Sequence, residues 1–326
     1  MLAKRSRFPD NRGARASIPR ALGLGLGPAR IRHQRRPVIA GRPVTATRPG
    51  TPTRGRAGRG TTALFFIVGP LRTGSSLLSR CIDDHPQAIC LCESEINRAL
   101  FAPYYLKLHA ERMVGHGAGF DEIMRLLDRK EQNSLEHWLR WHVEAMRVFQ
   151  RKYAKPKVLA FGDKSPDYFA APPLVDLIAN RTRAIYTTRN PRAILRSIWR
   201  QDVPEKEKEQ RWRFLKDNIR AWTPHWDRAN VLISRYEDLV TDPVPAMARV
   251  YEFLGLEPST RFLEPFERLH PRRFLWDTAI DWKTGAFKDF DPRRAVIADE
   301  DLTEEQRDRV YCDPLIVGFM ERFGYG

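Results

Sequence analysis

The chain has 326 residues and a formal net charge of +16, from 56 lysines and arginines against 40 aspartates and glutamates. That excess would indicate a nucleic-acid-binding protein if it were spread over the whole chain, but residues 1–60 carry 14 arginines and one lysine against a single acid, Asp10. Residues 61–326 carry only +2, so we expect no nucleic-acid partner for the folded domain.

Residues 1–60 also differ from the rest of the chain in composition. They hold seven prolines and nine glycines, contain one aromatic residue, Phe8, and show neither helical nor strand periodicity. We therefore predict a disordered Arg/Pro/Gly-rich tail at residues 1–60 and one domain at residues 61–326. A functional basic arm and a misassigned gene start both account for such a tail.

The remaining composition bears on the compartment. No apolar run reaches the ~18–20 residues that cross a bilayer, so no transmembrane segment is expected. Four cysteines in a chain of this length fit a reducing compartment, which predicts a cytoplasmic protein. The cysteines and histidines do not have the spacing of a zinc site, and no metal is expected.

From residue 63 onward, short apolar runs alternate with amphipathic stretches, a pattern typical of βαβ units and a mostly parallel sheet flanked by helices. A helical insert of about residues 96–153 follows the second strand. The predicted strands are Leu64–Val68, Ala88–Cys92, Lys157–Phe161, Arg183–Thr187 and Val231–Ser234.

The first strand is followed by a loop that resembles a phosphate-binding loop. Gly69 ends the apolar run, Gly74 follows five residues later, and an amphipathic helix begins at Ser75. A strand, a glycine loop and a helix N-terminus together form a cradle for anions. The lysine that nucleoside triphosphatases place after the second glycine is missing, and Arg72 lies inside the loop instead, which argues against triphosphate hydrolysis.

A second anion site is predicted in the stretch IYTTRNPRAILRSIWRQ, residues 185–201. Asn190 followed by Pro191 is a helix start, so this stretch runs from a strand into a helix. Arg189 at the strand end and Ser197 on the second helical turn can converge on one anion at the carboxyl edge of the sheet.

Two such sites suit a nucleotide with phosphates at both ends, and here the chain resembles the sulfotransferases that use 3′-phosphoadenosine 5′-phosphosulfate (PAPS). GPLRTGSSLL is similar to the family's 5′-phosphosulfate loop, and RNPRAILRS to its 3′-phosphate motif. SRYEDLVTDP, YEFLGL and FGYG extend the resemblance over residues 63–326. The resemblance implies a P-loop-like α/β fold. The family's loops commonly carry proline directly before the cation, whereas Leu71 separates Pro70 from Arg72.

The resemblance also implies roles for individual residues. Arg72 would contact the phosphosulfate and steady the leaving oxygen, and Tyr236 would lie near the adenine. Arg189 and Ser197 would hold the 3′-phosphate. The 5′-phosphate would be held by amides and hydroxyls of Thr73, Gly74, Ser75, Ser76 and Leu77.

The general base divides this family. Cytosolic small-molecule members carry a histidine in a K-T-H sequence, whereas here Lys164 is followed by Ser165 and Pro166. The tyrosylprotein and bacterial branch instead places a glutamate after an HP turn, and Glu93 follows such a turn. The resemblance to that branch predicts Glu93 as general base, with Glu95 as its rival, and Lys164 as a second cation at the transferred group.

Two other function classes stay open on the sequence alone. One is a P-loop kinase-like phosphotransferase, and the other is a non-catalytic nucleotide- or nucleic-acid-binding module. For the sulfotransferase, the acceptor hydroxyl could belong to a carbohydrate, a lipid, a natural product or a protein tyrosine. The sequence favours none of these four.

Overall fold

The centre of the domain is a sheet of five parallel strands. The computed structural model describes residues 62–93, 142–264, 290–296 and 299–326. In chain order the strands are β1 (Ala63–Val68), β2 (Ala88–Cys92), β3 (Ala160–Lys164), β4 (Arg183–Thr188) and β5 (Val231–Arg235). Their order across the sheet is β2-β3-β1-β4-β5, and every pairing is parallel. The predicted α/β class with a mostly parallel sheet is confirmed.

Helices cover both faces of this sheet. Nine helical segments are described: α1 (Ser75–Asp83), α2 (residues 142–152), α3 (Pro172–Arg181), α4 (Pro191–Trp199), α5 (Glu205–Trp222), α6 (Tyr236–Thr241), α7 (Pro243–Leu254), α8 (Glu304–Tyr311) and α9 (Pro314–Phe323). Of the predicted insert at 96–153, residues 94–141 lie outside the described residues, and the described part at 142–152 is helical.

The strand β1 shows why the sheet is buried on both sides. Its side chains alternate between faces, so Phe66 and Val68 join one apolar cluster with α3, α4, α5 and α9. Phe65 and Ile67 point the other way, into a second cluster with α1, α6 and α7. A continuous apolar run in β1 therefore indicates a strand covered by helices on both faces.

The third strand was predicted three residues too early, at Lys157–Phe161, whereas β3 covers Ala160–Lys164. The second half of β3 carries two charged residues, Asp163 and Lys164. In the structure Asp163 accepts a hydrogen bond of 2.6 Å from the Tyr168 hydroxyl, and Lys164 pairs with Glu93. Because these partners satisfy both charges, the ladder continues to the carboxyl edge of the sheet. The other four strands match their predicted bounds to within one residue.

The strand order identifies the edge where a ligand would bind. From β1 the chain moves to one side of the sheet to form β2 and β3, and then crosses to the other side for β4 and β5. In open parallel sheets such a switch point leaves a crevice at the carboxyl ends of the strands. The ends of β1, β3 and β4 carry the loops described next.

Candidate active site

The loop between β1 and α1 depends on two glycines with positive φ. Gly69 has φ 124°, and a Cβ there would lie 2.5 Å from the Thr187 carbonyl oxygen. Gly74 has φ 77°, and its Cβ would lie 2.2 Å from Cδ2 of Tyr236. Close contact with β4 and α6 therefore fixes the loop, and α1 starts directly after it with its first amides available to an anion.

Arg72, inside this loop, adopts a left-handed backbone conformation with φ 67°. Its Nε donates a hydrogen bond of 2.9 Å to Oγ of Ser197, although 125 residues separate the two in the chain. The two predicted anion sites are therefore in direct contact. A left-handed arginine is strained, and such strain is typical of functional loops.

Thr73 is placed differently from its neighbours. Its hydroxyl lies 2.8 Å from the Pro70 carbonyl oxygen and 2.7 Å from Oγ1 of Thr187, and the side chain is buried. These contacts hold the loop against β4. They leave the main chain of Thr73, rather than its hydroxyl, as the part that can face an anion.

Arg189 directly follows β4 and lies beside the first loop. Its Nη1 donates to the Arg72 carbonyl oxygen at 3.1 Å, and its Nη2 donates to the Arg294 carbonyl oxygen at 2.9 Å. The guanidinium stacks on the Tyr236 ring at 4.3 Å from the centroid. Its Nε is buried and has no hydrogen-bond partner among the described residues.

The pKa values of both arginines are lowered in this cleft. Burial lowers the pKa of Arg72, and the neighbouring charges of Arg189 and Arg211 lower it further. Burial also lowers the pKa of Arg189, and it outweighs the opposite effects of Tyr236 and Glu237. Two partly buried cations and an unpaired buried donor are costly, and a polyanion bound here would stabilise all three.

At the other end of the site, Glu93 follows β2 and Lys164 ends β3. Lys164 Nζ lies 2.5 Å from Oε1 of Glu93, and the Glu93 amide donates to the Lys164 carbonyl oxygen at 2.7 Å. Glu93 also has a left-handed backbone, with φ 53°. Burial alone would lower the pKa of Lys164, but its interactions with Cys92 and with Glu93, including the hydrogen bond to Glu93, raise it overall. The ion pair favours the charged form of both partners.

These elements surround one cleft of about 560 Å³. Ten of the eleven predicted site residues line it, all except Thr73. Glu93 is the one acid among the described lining residues, and it faces a set of bases: Arg72, Lys164, Arg189, Arg196, Arg200, Arg293 and Arg294. The cleft therefore suits a ligand with several negative charges.

Arg192 and Arg196 on α4 have contacts that no motif indicated. Arg196 lines the cleft and pairs with Asp301 at 2.8 Å, and Arg192 donates to the carbonyl oxygen of Tyr325 at 3.2 Å. Their partners lie more than 100 residues away, so no local pattern could reveal them.

Glu95, the rival of Glu93 as general base, lies outside the described residues. Across the described ranges, no helix is both long and apolar enough to span a membrane. The described residues also contain no group of three or more potential metal ligands. All four cysteines are free thiols.

The fold and site define a P-loop-like α/β protein in which the two predicted anion sites and a lysine–glutamate pair line one cleft. A model of the sulfotransferase family matches residues 65–260. The chain belongs to the sulfotransferase family, as the resemblance of its two anion motifs predicted.

Solved structures that the chain is similar to carry the same family name. A sulfotransferase domain from the olefin synthase of Synechococcus PCC 7002 shares 19% identity with a TM-score of 0.49, over 82% of this chain and 95% of that one. Sulfotransferase STF9 from Mycobacterium avium shares 15% identity with a TM-score of 0.42, over 80% and 77%. Mouse sulfotransferase SULT7A1, solved with PAP, shares 17% identity with a TM-score of 0.41, over 79% and 84%. No curated protein sequence matches the chain.

Proposed function

We propose that the protein transfers a sulfuryl group from PAPS to an acceptor hydroxyl, with Glu93 as general base. The proposal depends above all on one observation. Residues from four separate stretches, around Arg72, Glu93, Lys164 and Arg189, converge on a single cationic cleft at the carboxyl edge of a parallel sheet. A cleft this cationic does not suit an uncharged ligand. Its loop has Ser75 where nucleoside triphosphatases have the lysine on which hydrolysis depends.

The residues present fit the two phosphate-bearing ends of PAPS. The amides from Gly74 to Leu77, with the hydroxyls of Ser75 and Ser76, would hold the 5′-phosphate at the start of α1. Arg189 and Ser197 would hold the 3′-phosphate, which would give the buried Nε of Arg189 a partner. Tyr236 packs on both Gly74 and Arg189 and would lie beside the adenine.

Within this arrangement the chemistry falls to three side chains. PAPS supplies the sulfuryl group, and its 5′-phosphate is the leaving group. Glu93 accepts the proton of the acceptor hydroxyl as its oxygen attacks sulfur. Lys164 and Arg72 stabilise the negative charge that develops on the transferring group and on the leaving oxygen. The Glu93–Lys164 pair keeps the base as a carboxylate and holds it in place.

The proposal extends to the organisation and location of the chain. Residues 61–326 form the catalytic domain, and residues 1–60 are an appended tail that the reaction does not need. The four free thiols support a cytoplasmic location. The glutamate at the end of β2 supports the bacterial and tyrosylprotein branch of the family.

The direct test is incubation of the purified protein with sulfur-labelled PAPS and a cell extract, followed by identification of the labelled product. We expect label in a hydroxyl-bearing compound, and we expect the matched variant Glu93→Gln to give far less. Turnover that requires ATP and Mg²⁺ and ignores PAPS would instead support a kinase-like phosphotransferase. Salt-dependent nucleic-acid binding that survives removal of residues 1–60, without label transfer, would support a binding module.

A further inference from the structure

A network of buried and partly buried hydrogen bonds lies next to the loop that carries Arg189. Thr188, the last residue of β4, has its Oγ1 2.8 Å from the hydroxyl of Tyr325. That hydroxyl lies 3.1 Å from Oε2 of Glu237, to which it donates. The other carboxylate oxygen of Glu237 accepts a hydrogen bond of 2.9 Å from the Asn190 amide. These hydrogen bonds connect Tyr325, which follows α9, to Asn190, the residue next to Arg189.

Tyr325 is held firmly at this place. Gly324 ends α9 with φ 68°, which turns the backbone so that Tyr325 lies against β4. The Arg235 guanidinium stacks on its ring at 4.7 Å, and Arg192 on α4 donates to its carbonyl oxygen at 3.2 Å. Only 3% of Tyr325 is exposed, and Thr188 is fully buried. A hydroxyl fixed in this way acts as a spacer between β4 and the Glu237 carboxylate.

The protonation state of Tyr325 fits this role. Burial raises the pKa of its hydroxyl, and the charge of Glu237 raises it further, more than Thr188 and Arg235 lower it. The hydroxyl therefore keeps its proton at neutral pH and can donate it to Glu237.

Three consecutive residues transmit this support to Arg189. Arg235 packs on Tyr325, Tyr236 packs under the Arg189 guanidinium, and Glu237 binds the Asn190 amide. One short segment at the start of α6 therefore holds Arg189 in two ways. Tyr236 packs on its guanidinium, and Glu237 binds the backbone amide of the next residue. Displacement of Glu237 would shift both contacts.

We infer that Tyr325 is a positioning residue for recognition of the nucleotide 3′-phosphate: through Glu237 it sets the place of Asn190 and Arg189. The inference deepens the proposed function and rests on it. None of the described hydrogen bonds of Tyr325 reaches the residues from Gly74 to Leu77, which are linked to it only through the packing of Tyr236 on Gly74, whereas two hydrogen bonds through Glu237 join it to Asn190. Loss of the Tyr325 hydroxyl should therefore weaken selectivity for a 3′-phosphate rather than nucleotide binding in general.

The test compares 3′-phosphoadenosine 5′-phosphate (PAP) with AMP by calorimetry on the full chain and on Tyr325→Phe. The phenylalanine keeps the ring and its packing but leaves Glu237 and Thr188 without their shared partner. We expect affinity for PAP to fall about 3- to 10-fold with AMP unchanged, less than for loss of a direct hydrogen bond to the phosphate, because Tyr325 acts through Glu237. The matched control is Tyr251→Phe, which removes another buried tyrosine hydroxyl, one that donates to the Cys81 carbonyl oxygen at 2.9 Å. This variant should leave the ratio of PAP affinity to AMP affinity unchanged.

A second variant removes the hydrogen bond at the other end of this network, between Thr188 and Tyr325. Thr188→Val removes the Oγ1 that contacts Tyr325 and keeps the shape of the side chain. It should therefore also lower the ratio of PAP affinity to AMP affinity. An unchanged ratio in both variants, or an equal loss of PAP and AMP affinity, would overturn the inference. A wild-type protein that binds PAP no better than AMP would refute the proposed function itself, and the inference with it.

Discussion

Glu93 is the residue on which the proposed chemistry depends most. Glu93→Gln keeps the size of the side chain and a hydrogen-bond acceptor for Lys164, but an amide cannot take the acceptor proton. We expect kcat to fall by about 10²- to 10⁴-fold, the usual cost of losing a general base. Affinity for PAP should change little, because Glu93 lies at the Lys164 end of the cleft. Steady-state kinetics with labelled PAPS, together with calorimetry, measure the two effects separately.

The control for this variant is Glu95→Gln, at the nearest rival carboxylate. We expect turnover close to that of the wild type. The opposite result, with Glu95→Gln inactive and Glu93→Gln active, would transfer the base to Glu95. Normal turnover in both variants would exclude a carboxylate base after β2.

Arg189 should decide selectivity between nucleotides. Arg189→Ala removes the buried guanidinium that faces the proposed 3′-phosphate site, so we expect most of the preference for PAP over AMP to disappear. A hydrogen bond to a charged group contributes about 1.5–3 kcal/mol, or roughly one to two orders of magnitude in affinity. Arg147→Ala, which removes an exposed cation paired with Glu144 on α2, controls for the loss of net charge. Equal calorimetric affinity of the wild type for PAP and AMP would contradict the assignment.

At the residue scale, the sequence predicted which residues line the cleft better than it predicted the contacts between them. Arg72, Ser197, Glu93 and Lys164 follow from motifs and their resemblance to a family. The Arg72–Ser197 hydrogen bond and the ring of Tyr236 beneath Arg189 do not. Both depend on the order of strands in the sheet, which local patterns do not encode.

The loop from β1 to α1 offers a test at the scale of an element. Gly74→Ala adds a methyl group at a φ of 77° and places it 2.2 Å from the Tyr236 ring. We expect the melting temperature to fall and nucleotide binding to weaken, since either the loop or Tyr236 must move. Thermal unfolding and calorimetry measure both.

The chain supplies a matched glycine for comparison. Gly318 lies on α9 with nothing within 4 Å of an added Cβ. Gly318→Ala should stabilise the protein by about 0.5–1 kcal/mol, because alanine is the better helix former. If Gly74→Ala were as harmless as Gly318→Ala, the loop could not be as tightly packed as described.

Element boundaries were predictable where composition changes sharply. Helix α4 begins at Pro191 with Asn190 as N-cap, and α7 begins at Pro243 and ends before Gly255, as the sequence indicates. The strand β3 ends later than predicted because Asp163 and Lys164 have partners in Tyr168 and Glu93. Polar residues in a functional strand end look like a loop until their partners are known.

At the scale of the whole molecule, the charge distribution separates the tail from the domain. Deletion of residues 1–60 removes +14 of the +16 net charge and none of the described residues. We expect the truncated protein to keep its melting temperature and its affinity for PAP. A large fall in melting temperature, measured by calorimetry at equal salt, would show that the tail packs on the domain.

The left-handed backbone at Arg72 has a consequence for the balance between robustness and turnover. A non-glycine residue in that conformation costs on the order of 1–2 kcal/mol, and here the residue is also a partly buried cation beside Arg189. Asparagine tolerates φ 67° better and carries no charge. Arg72→Asn should therefore raise the melting temperature while it abolishes most sulfuryl transfer, a trade of activity for durability. Thermal unfolding and turnover measured on the same preparation would reveal it, and a less stable variant would argue that the Ser197 hydrogen bond outweighs the strain. A natural sequence chosen only for stability would not keep an arginine at this position.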